Sequence, residues 1–462
     1  MTFYNKILPI FLVSVLISSC SGNAKVARTV ANQQTFRGIV VSDEPQATIV
    51  GQNILANGGS AGDAMAAMGL AMSVTMPSRV GLDGSGFCQL YNPKEKNVQT
   101  LDFITNNLSD STVIPALPRA LFAIYAKAGN LRWPEIVFPA ESLAKFDMKI
   151  SRAFVKDLET LYQAKSDTKD IYLARLISHF SSKDGELLKE GMPFSQIELA
   201  TVLAGIRNAG AGDFYNGNFA KRYIEQISNF HSGITAESLA NYTPIWLASN
   251  GFKLGNEMAY FPSDKLTSDF GSTIWNQLVG DNNDTSNNIL NLLNNKNEDV
   301  ASKTNYAASA IAVDESGMAI ACTFSMGKLF GEQKILPTLG IVKASKATDL
   351  LSDINQLAKA SSMIIINENV NEFRFIGSAT GESAVSDLLK TSFYANYQKK
   401  NLETALQETA DNDTSTINLV SCKEGLPPFP DTCEALNDIR ADGYFRFSGV
   451  PKKGKRPAPR ER

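Results

Sequence analysis

The sequence predicts an α/β chain folded as a layered sandwich, with helices covering a central pair of sheets. Strand-like runs fall into two groups, helical periodicity fills the long stretch between them, and a further helix follows the second group. In the first group, Phe36 to Ser42 reads as a strand and Gln46 to Ala56 as a helix stopped by Gly58 and Gly59. A second helix, from about Ala61 to Met76, is dense in small side chains (Ala64, Ala66, Ala67, Gly69, Ala71), which suits close packing in a buried layer. A glycine-rich turn, Gly81 to Gly86, leads to a strand from Phe87 to Tyr91. Pro118 to about Tyr242 is mostly helical, with breaks expected at Pro139, Pro193 and Gly210 to Gly212.

The second group opens with a hairpin, because the apolar runs Ala307 to Val313 and Met318 to Ser325 flank Asp314, Glu315, Ser316 and Gly317. Strands are expected at Met363 to Asn367 and Phe373 to Gly377, with a helix from Ser383 to about Gln398 behind them. Between the groups, eight asparagines in the seventeen positions from Asp281 to Asn297 read as a mobile connector.

With 462 residues, 44% hydrophobic and 20% charged, the chain can bury a sizeable core. Its formal charge of -3 supplies no chain-wide field to recruit nucleic acid or an anionic membrane. The last dozen residues differ: Lys452, Lys453, Lys455, Arg456, Arg460 and Arg462 alternate with prolines and read as a solvated, disordered tail. His179 and His231 are the only histidines, in no metal-ligand spacing, and neither a metal nor a cofactor is expected.

At the other end, Lys6 precedes an apolar run from Ile7 to Ile17 that has the length of a signal-peptide core. Small residues then lead into Cys20, an arrangement that resembles the lipobox of bacterial lipoproteins. That resemblance implies removal of residues 1–19, acylation of Cys20 and a membrane partner through the lipid. Because Ser21 rather than an acidic residue follows, the expected location is the bacterial cell envelope, outer-membrane anchored and facing the periplasm. Export would put Cys88, Cys322, Cys422 and Cys433 in an oxidising space, where three pairings are open. Cys422 with Cys433 is favoured, since the proline-rich segment between them reads as an irregular loop needing a clasp. Cys88 and Cys322 sit in apolar runs that accommodate a bond or buried thiols equally.

Several collinear stretches resemble the gamma-glutamyltransferase (glutathione hydrolase) family. They are "EPQATIVGQNILANGGSAGDAMAAMGLAMSVTMP" at Glu44 to Pro77, "GLDGSGF" at Gly81 to Phe87, "LRWPEIVFPAESLA" at Leu131 to Ala144 and the run Phe194 to Ile227. The hairpin, "FG" at Phe330 and Gly331, "SSM" at Ser361 to Met363, "GSATG" at Gly377 to Gly381 and "DIRADGYF" at Asp438 to Phe445 continue the series. The resemblance implies the N-terminal-nucleophile hydrolase fold, a four-layer alpha-beta-beta-alpha sandwich. It also implies an organisation: a polar leader 20–35, a large-subunit-like part 36–280, the connector 281–303, a small-subunit-like part 304–447 and the tail 448–462.

Members of that family cut their own chain before a threonine, whose hydroxyl then attacks the gamma-glutamyl carbonyl while its new α-amine serves as base. Counted back from Asp314 and Gly317, the threonine position falls on Ala307, with Ala308 and Ser309 where the next two motif residues stand. A methyl group cannot attack. The alternative hydroxyl, Thr304, lies three residues upstream, roughly 10 Å along an extended strand. Substrate-holding positions depart as well. Ile104 stands where the family has a carboxylate-binding arginine, Gly327 in place of an asparagine, and Thr348 near an aspartate, with Asp349 beside it. Ser361 and Ser362, then Thr380 and Gly381 in place of a glycine pair, are the remnants on the oxyanion side. The expected protein is thus a gamma-glutamyltransferase-like lipoprotein that is uncut and catalytically silent, acting as a binding or structural envelope protein. A gamma-glutamyl or amino-acid ligand is the candidate small molecule, no nucleic acid is expected and no protein partner is specified. The alternative is an active gamma-glutamyl hydrolase using Thr304.

Overall fold

The computed structural model describes residues 35–105, 113–146, 148–164, 170–228, 230, 233–263, 275, 278, 306–347, 359–409 and 414–454. The lipobox Cys20, the asparagine-rich connector, Thr304, Thr348, Asp349, His231 and the end of the basic tail lie outside the described residues.

Strand β1 (Gly38–Ser42) leads into helices α1 (Pro45–Ala56) and α2 (Ala61–Thr75), then β2 (Ser85–Asn92) and β3 (Asn97–Asp102). The helical stretch comprises α3 (Leu117–Ala128), α4 (Trp133–Lys145), the short β4 (Met148–Lys149), α5 (Arg152–Ala164), α6 (Ile171–His179), the short β5 (Pro193–Phe194), α7 (Ile197–Ala209), α8 (Asp213–Asn216), α9 (Asn218–Ser228) and α10 (Ala236–Asn241). Next come β6 (Ile245–Ala248), β7 (Asn250–Leu254) and β8 (Glu257–Phe261). The C-terminal part adds β9 (Ala307–Asp314), β10 (Ala319–Ser325), β11 (Ile335–Leu336), β12 (Ile341–Val342), β13 (Ala360–Asn367) and β14 (Glu372–Gly381). It closes with α11 (Ala384–Ser392), α12 (Leu402–Gln407), β15 (Ser415–Leu426), β16 (Cys433–Asn437) and β17 (Tyr444–Ser448).

Two antiparallel sheets stack face to face. One has the order β17-β1-β9-β10-β2-β3-β6 and the other β16-β15-β14-β13-β8-β7, so both halves of the chain supply strands to both sheets. The period-two alternation of side chains divides each strand between two cores. In β9, Ala308, Ala310 and Ala312 face the large helical layer, while Ile311 and Val313 join the core between the sheets. In β13, Ile364 and Ile366 point into that same middle core, and Met363 and Ile365 meet α11 and α12 on the far side. The result is the four-layer α/β sandwich, with helices outside and two sheets within.

Helix α2 is buried along its whole length, and its composition explains how. A Cβ on Gly69 would fall 2.7 Å from Leu121 and 3.3 Å from Phe324, so the glycine lets the helix lie between α3 and β10. Its start is held by a capping box of Ser60 and Asp63. The Ala61 N–H also donates to Asp314 Oδ2 at 2.9 Å, which ties the helix to the β9–β10 turn at the end of β9.

Three local expectations need correction. Helix α4 runs through Pro139, because Ile136, Val137, Ala140 and Ala144 are all buried and packing on both sides of the proline outweighs one missing backbone hydrogen bond. The segment between Cys422 and Cys433 is only partly a loop: β15 continues to Leu426 before the chain turns back through residues 427–432, and the two cysteines form the last pair of the β15–β16 ladder. The helix expected from Ser383 to about Gln398 gives way after Ser392 to a single π-helical turn, Phe393–Tyr397. Disulfides join Cys422 to Cys433 and Cys88 to Cys322, each pair directly opposite in neighbouring strands.

Candidate functional site

The head of β9 is placed from two sides. Within its sheet, Ala307 sits opposite Ser325 of β10. Beyond the end of β1, the Asp43 N–H donates to the Ser309 carbonyl at 3.2 Å and the Ser309 N–H donates to Asp43 Oδ2 at 2.7 Å. Asn418 of β15 reaches across from the second sheet, donating to Asp43 Oδ1 and to Ser309 Oγ, each at 2.8 Å, and Asn437 donates to Asn418 Oδ1 at 2.6 Å. Burial pushes the Asp43 carboxyl up to about 6, against the pull of the hydrogen bonds from Ser309 and Asn418. Ser309 is therefore an interior anchor of the strand, with its hydroxyl and backbone committed to this network.

At the strand head itself lies an apolar cluster. Ala307 belongs to a buried cluster with Phe87, Ala347 and Ala360, and Ile104 packs against the same cluster. The positions marked by sequence for nucleophile and carboxylate binding thus converge in space, as Ala307 and Ile104, on one apolar cluster. Ala347 brings the segment just before Thr348 to the same place.

The oxyanion-side positions lie on the facing sheet and have protein partners. Ala360 pairs with Thr380, and Ser361 with Ala379. Ser362 Oγ donates to Gln89 Oε1 at 3.0 Å, joining the sheets. The hydroxyls of Thr380 and Thr416 are 3.1 Å apart, and the Gly381 N–H donates to the Lys359 carbonyl at 2.8 Å. Gly327 has φ +78, and a Cβ there would lie 2.4 Å from the carbonyl oxygens of Ser345 and Lys346. An asparagine at that position would require the 345–346 segment to move.

Sequence reading missed a buried ion pair nearby. Lys343 Nζ donates to Asp83 Oδ2 at 2.7 Å and to the Val113 carbonyl at 2.9 Å, while Ala344 N–H and Tyr223 Oη–H also donate to Asp83. Burial raises the Asp83 carboxyl and Lys343 opposes that rise. Asp83 lies in the glycine-rich turn, where only the glycines had stood out; its partner is 260 residues away. His179 closes α6 with its ring edge-on to Phe180 and Phe194, and burial lowers its pKa. Among the described residues no group of three or more His, Cys, Asp or Glu side chains is placed to hold a metal ion.

Residues 47–109 and 105–263 match the family model described as gamma-glutamyltranspeptidase. The matched stretch, just under half of the chain, is similar to the gamma-glutamyltransferase family. Among curated relatives, the glutathione hydrolase proenzyme of Bacillus subtilis is 27% identical over 248 residues, covering 47% of this chain and 41% of the relative. Glutathione hydrolase 2 of Arabidopsis thaliana is also 27% identical over 248 residues, covering 50% and 42%. The chain thus spans about two fifths of the length of the curated relatives it matches. By structure, cephalosporin acylase from Bacillus halodurans superposes with a TM-score of 0.70 at 14% identity, covering 89% of this chain and 96% of that one. This likeness shows the fold alone, an α/β sandwich resembling that of the N-terminal-nucleophile hydrolases.

Proposed function

We propose that this chain is a catalytically silent member of the gamma-glutamyltransferase family, an uncut polypeptide that serves as a binding or structural protein of the bacterial cell envelope. One observation carries the reading: Ala307 begins β9 inside an apolar cluster that Ile104 completes. Catalysis in this family's manner needs a hydroxyl and a free amine at the strand head, and a cation to fix the glutamyl carboxylate. Methyl and sec-butyl groups provide neither, and the hydroxyls of Ser362 and Thr380 already have protein partners. Retained oxyanion donors without a nucleophile leave little rate enhancement; in other hydrolases removal of the nucleophile costs a factor on the order of a million.

The same reading has the protein exported, acylated at Cys20 and held at the outer membrane facing the periplasm. Two disulfides are consistent with an oxidising compartment and support export. No helix among the described residues is long and apolar enough to cross a membrane, so attachment in this proposal rests on the lipid.

Intact mass of the mature protein, paired with an assay of gamma-glutamyl-p-nitroanilide, tests the reading. A single lipid-bearing chain with no p-nitroaniline release is expected. Two fragments divided near residues 304–307, or steady release that Thr304→Ala abolishes, would establish the active alternative instead.

A further inference from the structure

The two ends of the described chain meet at one edge of the seven-stranded sheet. Strand β17 is that edge: it pairs with β1 from Gly38 and Ser448 to Ser42 and Tyr444, and just beyond it Thr35 bridges to Val450. Helix α1 lies alongside, with Thr48 Oγ1 donating to the Tyr444 carbonyl at 3.2 Å and Gln52 Nε2 donating to the Phe447 carbonyl at 2.9 Å.

This edge presents two kinds of side chain to solvent. Tyr444, Phe445 and Val450 are 36%, 37% and 49% exposed, and Ile439, in the short turn before β17, is 88% exposed. Arg446 is exposed with its guanidinium 4.6 Å from the centre of the Tyr444 ring, and Lys452 and Lys453 are exposed after the strand. Two carboxylates stand close by: Glu315, bonded to Arg37 at 2.6 Å, and Asp431, which accepts the Gly454 N–H at 2.9 Å.

The sequence concentrates positive charge at the same place. Residues 446–462 hold seven lysines and arginines against the single acid Glu461, and residues 20–37 add Lys25, Arg28 and Arg37 with no acid. The whole chain is nonetheless at -3, so the rest of the molecule is acidic and this edge is its basic pole. Such a field fades within a Debye length of about 8 Å and acts only on a surface in near contact. Cations interleaved with aromatic and branched aliphatic side chains match a lipid interface, with phosphates at the level of the charges and hydrocarbon beneath. A nucleic acid would use the cations and leave Val450 and Ile439 in water.

We propose that the β17 edge, with the basic residues that follow it, docks on an anionic phospholipid bilayer. The proposal rests on the envelope reading above for the presence of a membrane and adds an orientation to it. Thr35 is fifteen residues from Cys20, at most roughly 50 Å of extended chain, so the acyl group and this edge engage the same bilayer.

The test is co-sedimentation with phospholipid vesicles of the chain from Ser21 to Arg462, exported behind a cleavable signal so that both disulfides form. That chain holds every described residue and has no acylation site. It binds vesicles of mixed phosphatidylcholine and phosphatidylglycerol, not vesicles of phosphatidylcholine alone, and the affinity falls as salt rises. Lys452→Gln combined with Lys453→Gln weakens binding roughly 30-fold, at about fivefold for each charge removed. Both side chains are exposed, so the melting temperature stays where it was. Phe445→Trp gains a blue-shifted emission with the mixed vesicles alone, as the ring leaves water. Equal binding to both kinds of vesicle overturns the proposal, and so does an affinity that the paired substitution leaves unchanged. Tighter binding to duplex DNA than to the mixed vesicles at the same salt overturns it in favour of a nucleic-acid partner. A mature protein whose intact mass lacks the lipid refutes the anchor at Cys20 alone, because the vesicle titration does not use it, and the two failures are told apart.

Discussion

Lys343 and Asp83 form an ion pair at 2.7 Å with both side chains buried, joining the glycine-rich turn before β2 to the segment after β12. A buried pair of this kind adds little over a hydrophobic pair of equal volume, but breaking it is costly because one charge is left uncompensated. Lys343→Met should therefore destabilise the protein by about 3–5 kcal/mol in urea denaturation. Adding Asp83→Asn to that variant should restore a substantial part of the loss. A double variant no more stable than Lys343→Met would mean that the charge itself is not what matters.

Asp43 should make stability fall with rising pH. Its carboxyl titrates at about 6 in the folded chain against 3.8 for the free group, so between those values the native state holds the extra proton. The Asp43 contribution to stability is fully present below pH 4, declines as pH rises to 6, and is lost above; its span is on the order of 3 kcal/mol. Arg79 favours and Asp438 opposes the charged form. Urea midpoints measured from pH 4 to 8 should show this slope in the wild type and a shallower one in Asp43→Asn.

The two disulfides should differ in worth. Cys88–Cys322 spans 234 positions and Cys422–Cys433 only 11, so loop-closure entropy assigns them about 5 and about 3 kcal/mol respectively. Paired Cys→Ala variants compared by denaturation test the order. Equal losses would show that residual structure in the unfolded chain, not loop length, governs the outcome.

Restoring the hydroxyl alone should not restore chemistry. Ala307→Thr places an oxygen in the cluster of Phe87, Ala347 and Ala360, at a cost of about 1–3 kcal/mol unless it finds a partner. Ile104 still offers the substrate no cation. The variant should run as one band on a denaturing gel and release no p-nitroaniline from gamma-glutamyl-p-nitroanilide.

By itself the sequence determined the alternation of layers, the β9–β10 hairpin and the helix pair after β1. These follow from local periodicity, from turn residues such as Asp314 to Gly317, and from the small side chains of α2. It also marked Ala307 and Ile104 as unsuited to the expected chemistry, since side-chain composition is independent of the fold. Only tertiary structure decided that these two positions share one apolar cluster, that Asn418 locks Ser309 and Asp43, and that Lys343 neutralises Asp83. Those relationships join residues far apart in sequence, and no local pattern of polarity records which distant strand will stand opposite. Pro139 makes the same point in reverse: the local rule predicted a break, and burial on both sides of the proline kept the helix whole.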